Sequence, residues 1–371
     1  MKTGAVVGGY TLLEDFRVVG AGLSEWTFAE RDGREYFIKR FLSPTFPDDD
    51  APGSAATKAR KRERCAAFEA HHRGIQVALA PVTRYRGNLI TTLDFFRQGA
   101  KYYKVTEKID PAGMEVEDVA RLEFSAKLVL MMTVAHSLRI LHELHIVHGD
   151  LKPSNVLIKR TELGYTTKLI DFDSSYVVGN PPPADEIVGT INFYSPELAR
   201  YVQGADNASE LTEGADIFAL GLIYAEYLTG SVPPFDPAHH EPAIAVLNGE
   251  PLLLPPAGLP GPVAQLVNRM LLADPDARPS IDEVHATLMA QRPGAPTTTA
   301  KPPLPVVRPD SHSTSALRGK GLRIADAGVP TIPGSSSATR TGPPADSGAR
   351  DSGLRSLVGR LLTRAEKGRS R

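Results

Sequence analysis

Three polar side chains, Asp150, Lys152 and Asn155, lie within six residues of chain and directly precede the apolar run Val156 to Ile158. At this spacing a carboxylate can accept a hydroxyl proton, a lysine can steady a moving phosphoryl group, and an asparagine carbonyl can bind Mg²⁺. Sixteen residues after Asn155, Asp171 ends a short apolar segment and can supply a second metal ligand. The chemistry that uses all four groups together is phosphoryl transfer.

The loop His148-Gly149-Asp150-Leu151-Lys152-Pro153-Ser154-Asn155 and the segment Asp171-Phe172-Asp173 resemble two loops of eukaryotic-type protein kinases. These are the catalytic loop, H-R-D-x-K-x-x-N, and the metal-binding loop, D-F-G. The resemblance implies that the loop Asp orients or deprotonates the acceptor hydroxyl while the Lys contacts the γ-phosphate of ATP. The residues it assigns are Asp150 and Lys152 in catalysis and Asn155 and Asp171 in Mg²⁺ binding.

Two positions in these loops depart from the family pattern. Gly149 stands where many kinases have an arginine that grips a phosphate on the activation loop. Without that receiver, we expect activity that does not require activation-loop phosphorylation. Asp173 replaces the glycine of D-F-G, which either stiffens the loop or adds a third acid near the metal.

The N-terminal region carries a second resemblance to the same family. Val19-Gly20-Ala21-Gly22-Leu23 is similar to the glycine-rich loop whose backbone N–H groups close over ATP phosphates, although Glu25 occupies the third glycine position. Asp32-Gly33 predicts a hairpin turn. The strand that follows ends at Lys39 and resembles V-A-I-K, with Phe37 in place of the usual alanine beside adenine. The resemblance makes Lys39 the catalytic lysine that contacts the α- and β-phosphates.

Residues 58–80 have apolar positions spaced near 3.6 and are predicted to form a helix. The resemblance implies that Lys39 pairs with a glutamate on this helix, for which Glu69 is the first choice and Glu63 the alternative. Two strands are predicted next, between residues 89 and 110. In the family register, Thr106 is the gatekeeper beside adenine, and Glu107 and Ile109 belong to the hinge that binds the base.

Three later landmarks follow in the order that the family has them. The segment from Gly189 to Glu197 resembles G-T-x-x-Y-x-A-P-E, and it places Thr190 near the catalytic Asp. Glu197 is predicted to form a buried ion pair with Arg278. Asp216 begins a segment similar to D-x-W-x-x-G, and it is predicted to anchor the backbone of the catalytic loop.

These observations predict an α+β, two-lobed protein-kinase-like fold. The catalytic domain is predicted at residues 10–290, with a small β-rich N-lobe to about 108 and a larger helical C-lobe from 109. The composition then changes to Pro, Ser, Thr, Gly and Ala. We expect a disordered linker over residues 291–350 and a basic amphipathic segment over 351–371.

Charge and cysteine content bear on the binding partners and the location of the protein. The chain has 42 basic and 43 acidic residues, yet residues 291–371 hold 14 basic and 5 acidic ones, so a basic tail follows an acidic body. The tail is expected to contact a membrane surface, a partner or the kinase body. We expect neither nucleic-acid binding nor a membrane span. The single cysteine, Cys65, fits a reducing compartment, and a cytosolic location is expected.

The function implied by the resemblance is a serine/threonine protein kinase that uses ATP and Mg²⁺. Its protein substrates are not indicated, although its own tail is a candidate for autophosphorylation. Two alternatives stay open. H-G-D-x-x-x-x-N followed by I-D-F-D also resembles aminoglycoside and choline phosphotransferases. The departures at Glu25, Phe37, Gly149 and Asp173 invite a pseudokinase that binds ATP as a scaffold.

Overall fold

The computed structural model of the chain describes residues 2–18, 24–48, 50, 52–83, 87–162, 164–255 and 258–292. All of them belong to a unit that covers Met1–Lys301. The predicted glycine-rich loop, Val19 to Leu23, lies outside the described residues. So do the predicted tail segments, apart from Gln291 and Arg292.

The first third of the chain is rich in strands. Its strands are β1 (Val6–Val7), β2 (Tyr10–Leu12), β3 (Arg17–Val18), β4 (Ser24–Arg31), β5 (Arg34–Phe41), β6 (Asp94–Gln98) and β7 (Lys101–Glu107). Six of them form one antiparallel sheet in the order β1-β2-β4-β5-β7-β6, and β3 pairs with the other end of β4. Strands β2 and β3 pair with different parts of β4 and are separate strands.

The hairpin between β4 and β5 forms where the sequence predicts it. Arg31 pairs with Arg34, which leaves a two-residue turn of Asp32 and Gly33 with φ angles of 55° and 73°. A turn of this type needs positive φ at both central residues, and Asp-Gly tolerates that better than most pairs. This turn fixes the register that places Lys39 opposite Trp26.

The rest of the chain is mainly helical. The helix predicted over residues 58–80 extends from Ala55 to Thr83, and two further helices follow over residues 116–120 and 124–143. The helices are α1 (Ala55–Thr83), α2 (Val116–Ala120), α3 (Phe124–Glu143), α4 (Pro196–Val202), α5 (Gly214–Thr229), α6 (Pro242–Leu247), α7 (Gly261–Met270) and α8 (Ile281–Met289). Short strands accompany them: β8 (Ile146–Val147), β9 (Val156–Thr161), β10 (Gly164–Leu169) and β11 (Tyr176–Val177).

Helices α3 and α5 form the centre of the helical part. Leu138 of α3 and Phe218 and Leu222 of α5 are fully buried and belong to one large apolar cluster. Among the described helices, α3 alone is long and apolar enough to cross a membrane by length and composition, and half of its most apolar window is buried in the protein. Its buried residues contact the core of this unit. The predicted two-part α+β architecture is confirmed.

The sheet separates two environments. One face carries Tyr10, Ala29, Ile38 and Val105, which form an apolar core of their own. Paired residues in neighbouring strands share a face, so the opposite face carries the row Trp26, Lys39 and Lys104. At one end of that face α1 covers it through Phe68, which packs against Phe41 and Tyr102. Lys39 and Lys104 therefore lie beside the region where α1 packs.

Candidate active site

The catalytic loop lies between β8 and β9, and a buried carboxylate holds its backbone. Asp216, in the first turn of α5, accepts hydrogen bonds from the backbone N–H groups of His148 (2.7 Å) and Gly149 (3.1 Å). Its Oδ2 also lies 3.1 Å from Nε2 of His142. The predicted anchor is confirmed. Because one carboxylate binds two consecutive backbone N–H groups just before Asp150, it fixes the backbone that orients the Asp150 side chain.

Asp150, Lys152 and Thr190 form a connected group. Lys152 Nζ donates to Asp150 Oδ2 and to Thr190 Oγ1, both at 2.7 Å. The Thr190 backbone N–H donates to Asp150 Oδ1 at 3.0 Å. The structure thus brings together the predicted base, the predicted phosphate-contacting lysine and the predicted activation-segment threonine. The Asp150 carboxylate can accept a proton from a hydroxyl that approaches this group.

Asn155 turns its amide nitrogen toward the same group. Its Nδ2 donates to the backbone oxygen of Asp150 at 2.8 Å, so its Oδ1 is the atom left for a cation. Asp171, which follows β10, has φ of 62° and supplies a carboxylate. A carboxylate and an amide oxygen are hard donors of the kind Mg²⁺ prefers, so the donor set fits the metal that the family resemblance implies.

Four charged side chains contact one another around the carboxylate of Asp171. We call them the lysine cluster: Lys39, Lys104, Asp171 and Asp173. Lys39 Nζ lies 2.9 Å from Asp171 Oδ2 and 2.6 Å from Asp173 Oδ2. Lys104 Nζ lies 3.0 Å from Asp171 Oδ1 and contacts Asp173 Oδ1 as well. Each carboxylate therefore accepts from both lysines, and the four formal charges cancel.

The pKa values follow from this arrangement. Burial alone would lower the pKa of Lys39, but the carboxylates of Asp173 and Asp171 outweigh it and raise the pKa above its ordinary value. Burial alone would raise the pKa of Asp173, yet Lys104 and Lys39 hold it well below its usual range. Burial lowers the pKa of neighbouring His72 to about 3. Lys39 and Asp173 are thus charged at neutral pH, and His72 is neutral.

The predicted pair between Lys39 and Glu69 is wrong. Glu69 Oε1 accepts a hydrogen bond from the hydroxyl of Tyr102 at 2.7 Å, and Lys39 pairs with Asp171 and Asp173. The alternative, Glu63, is exposed on α1. The physical reason is that Asp173 adds a carboxylate at 2.6 Å from Lys39, while Tyr102 takes the glutamate.

The predicted adenine contacts occupy the end of β7 and the chain after it. Thr106 is buried and pairs with Phe37 across the strands. Glu107 ends the strand, and Ile109 follows two residues later. Their assignment to the gatekeeper and hinge stays a prediction. Phe37 stacks on Trp26 with ring centroids 5.5 Å apart, so the sheet face that carries Lys39 presents aromatic rings beside it.

Two other departures from the family pattern have local explanations. Glu25 pairs with Arg40, its partner across β4 and β5, so the third glycine position holds one half of a cross-strand ion pair. Gly149 has φ of 77°, and a Cβ there would lie 2.4 Å from the backbone oxygen of Ser174. An arginine at position 149 would clash with this close backbone approach.

The predicted ion pair between Glu197 and Arg278 is confirmed. The two side chains are fully buried and make two parallel contacts of 2.8 Å. Arg278 also donates to the backbone oxygens of Gly214 (2.7 Å) and Leu272 (2.9 Å). The pair therefore ties the end of the activation segment to the start of α5.

Lys104 is a site residue that the sequence did not predict. The pairing of Asp173 with Lys39 and Lys104 was not predicted either. In the strand Lys101–Glu107, position 104 shares a face with Tyr102 and Thr106. A lysine at an inward position of an apolar strand signals a buried charge that needs a partner. That signal indicates a site, although it does not identify the partner.

A sequence model described as the protein kinase domain matches residues 57–288. The match begins inside α1, so Lys39 precedes it, whereas Asp150, Asn155 and Asp171 fall within it.

Several curated proteins are similar to the same part of the chain. The serine/threonine-protein kinase PknA of Corynebacterium glutamicum is 29% identical over 209 residues, which are 54% of this chain and 42% of that protein. Mitogen-activated protein kinase kinase 2 of Arabidopsis thaliana is 30% identical over 53% of this chain and 54% of its own. A calcium/calmodulin-dependent serine/threonine-protein kinase of Malus domestica is 25% identical over 72% and 68%. The chain thus spans less than half the length of PknA.

Proposed function

The chain belongs to the protein kinase domain family, and from this premise we propose that it transfers the γ-phosphoryl group of ATP to serine or threonine hydroxyls of proteins. The observation that carries the proposal is the group formed by Asp150, Lys152 and Thr190, with contacts of 2.7–3.0 Å. It places a carboxylate for the acceptor hydroxyl beside an ammonium for the phosphoryl oxygens. The names of the similar proteins support a serine or threonine acceptor.

In this proposal Asp150 orients the acceptor hydroxyl and takes its proton, while Lys152 offsets charge on the γ-phosphoryl oxygens. Lys39 contacts the α- and β-phosphates. Asn155 and Asp171 hold Mg²⁺, which when bound offsets negative charge on the phosphate oxygens. The contribution of the protein is mainly positioning of two reactants and fixed charge at the transferred group.

We propose that this activity does not depend on phosphorylation of the activation segment. Thr190 already bonds to Asp150 and Lys152 through unmodified side-chain and backbone atoms. Gly149 offers no guanidinium to receive a phosphate. Phosphatase treatment of the purified protein should leave the initial rate within about twofold, and a loss of more than about tenfold would overturn this part of the proposal.

The remaining parts of the proposal concern location and the tail. We propose a cytosolic protein, since Cys65 is a buried free thiol, and cell fractionation tests this. The serines and threonines between residues 291 and 371 are proposed as autophosphorylation sites because the tail is covalently joined to the catalytic domain. Phosphopeptide mapping after incubation with ATP tests them.

The acceptor class is tested with γ-labelled ATP and Mg²⁺. The purified chain is incubated alone, with a generic protein substrate, and with aminoglycosides and choline. We expect label on protein, recovered as phosphoserine or phosphothreonine after acid hydrolysis. Label on a small alcohol alone would support the small-molecule phosphotransferase, and ATP binding without transfer would support the pseudokinase. Either result contradicts the proposal.

A further inference from the structure

The contacts of α1 differ from those that the family resemblance implies. Glu69 bonds to Tyr102, and α1 reaches the metal-binding loop through two histidines instead. His71 Nε2 lies 3.0 Å from the backbone oxygen of Asp173, and His72 Nδ1 lies 3.9 Å from its Oδ1. The helix is therefore coupled to Lys39 indirectly, through Asp173.

Asp173 also decides what Asp171 is free to do. Lys39 contacts both oxygens of Asp171, at 2.9 and 3.2 Å, and Lys104 contacts one of them at 3.0 Å. If Asp171 were the sole carboxylate beside these lysines, two ammonium groups would hold it and repel an incoming divalent cation. Asp173 gives each lysine a second acceptor, so Asp171 can turn to a metal without leaving either lysine unpaired.

The two lysines differ in depth. The side chain of Lys104 is 5% exposed, whereas that of Lys39 is 16% exposed. The two residues are cross-strand partners on β5 and β7, so they enter the cluster side by side from the same face. Lys39 is the more accessible of the two to a phosphate, and Lys104 lies behind it as a counter-charge for Asp173.

We propose that Asp173 is a positioning residue that holds Lys39 toward the nucleotide, in the role that the family resemblance gives to Glu69, and that Lys104 supplies the charge that keeps Asp173 in place. This inference rests on the proposed function, because it concerns the lysine that contacts ATP. Asp173, which stands where the family has glycine in the metal-binding loop, thereby becomes part of the nucleotide site.

The test measures ATP affinity in the presence of Mg²⁺ by calorimetric titration of the full chain, together with kcat and KM for ATP. The variants are Asp173→Asn, which keeps the shape and removes the charge, Glu69→Gln, and Glu162→Gln as a control at an exposed turn carboxylate. We expect Asp173→Asn to weaken ATP binding at least about tenfold and to raise KM by a similar factor, while Glu69→Gln should change the affinity less than about threefold.

Two results would overturn the inference. One is a loss at Glu69→Gln as large as that at Asp173→Asn. The other is an Asp173→Asn affinity within about twofold of that of the wild type and of the Glu162→Gln control.

The double variant Asp173→Asn/Lys104→Met separates positioning from simple charge neutralisation. It removes Lys104, which in the single variant would keep Asp171 as its one carboxylate partner, so the comparison can still be made if the single variant fails to fold. If Asp173 positions Lys39, ATP binding stays at least about fivefold weaker than in the wild type. Recovery to within about twofold would show that Asp173 only neutralises Lys104, and would overturn the inference.

Failure of the proposed function gives a different pattern. A wild-type protein that binds ATP but transfers no phosphate contradicts the kinase proposal, while the affinities of the variants still decide the role of Asp173. A wild-type protein that does not bind ATP contradicts both.

Discussion

The catalytic loop and the lysine cluster flank the same expected phosphates, yet they are held in different ways. The loop is fixed by Asp216, whose family role was predictable, and it lies close to the segment that Glu197 and Arg278 tie down. The lysine cluster joins β5, β7 and the metal-binding loop through Lys104 and Asp173, and neither partnership follows from the family pattern.

The difference shows how one substitution changes a site. A buried carboxylate at position 173 needs cations beside it, and Lys104 on the buried strand β7 provides one in addition to Lys39. Asp173 then pairs with Lys39, and Glu69 accepts a hydrogen bond from Tyr102 instead. The loop has no such added charge, and its contacts keep the expected partners.

The largest effect expected on the loop side comes from Arg278→Ala. The substitution leaves the buried carboxylate of Glu197 without its partner, which costs about 3–5 kcal/mol. Urea denaturation followed by circular dichroism measures the loss. Arg269→Ala is the matched control, because its ion pair with Glu283 is about half exposed and such pairs contribute about 0–1 kcal/mol. Equal losses for the two variants would show that the buried pair does not hold this region.

Gly149→Ala tests the close approach in the catalytic loop itself. The alanine would keep a positive φ, and its Cβ would lie 2.4 Å from the backbone oxygen of Ser174. We therefore expect the free energy of unfolding to fall by about 1–3 kcal/mol and the activity to be reduced. Gly179→Ala is the control, since Gly179 has φ of 78° but a Cβ there would meet no neighbouring atom of the described residues within 4 Å. If both alanines cost the same, the contact with Ser174 contributes nothing beyond backbone strain.

The next prediction concerns the lysine-cluster side, and its effect on stability is small at neutral pH, where His72 is neutral. The pKa of His72 is about 3 in the folded protein and about 6.5 when unfolded. Stability from this group is complete above about pH 6.5 and falls as the pH drops toward 3, by at most about 1.4 kcal/mol per pH unit. His72→Phe fits among Phe41, Phe68 and Phe95 and should flatten this dependence.

Thermal unfolding at a series of pH values between about 4 and 7 measures that change. The control is His240→Asn, which removes an exposed histidine and should leave the slope as it is in the wild type. An unchanged slope for His72→Phe would assign the acid sensitivity to other groups.

The sequence predicted a contact correctly where both residues belong to motifs that the family places at known positions along the chain. Asp216, Glu197 and Arg278 took their predicted partners for this reason. Position 104 is different, because strand alternation shows that the lysine is buried but does not say that Asp171, 67 residues away, will accept from it. The Glu69 prediction failed because the sequence could not show that Tyr102 bonds it.

The most direct test of the central claim is the rate at which Asp150→Asn and the wild-type chain incorporate phosphate into protein at saturating Mg-ATP. Asparagine keeps the shape of Asp150 and removes the proton acceptor, while Lys39 and Asp171 are unchanged. We predict a rate about 100- to 10,000-fold below the wild type, with ATP affinity within about threefold. Equal rates for the two proteins would contradict the assignment of this loop as the site of phosphoryl transfer.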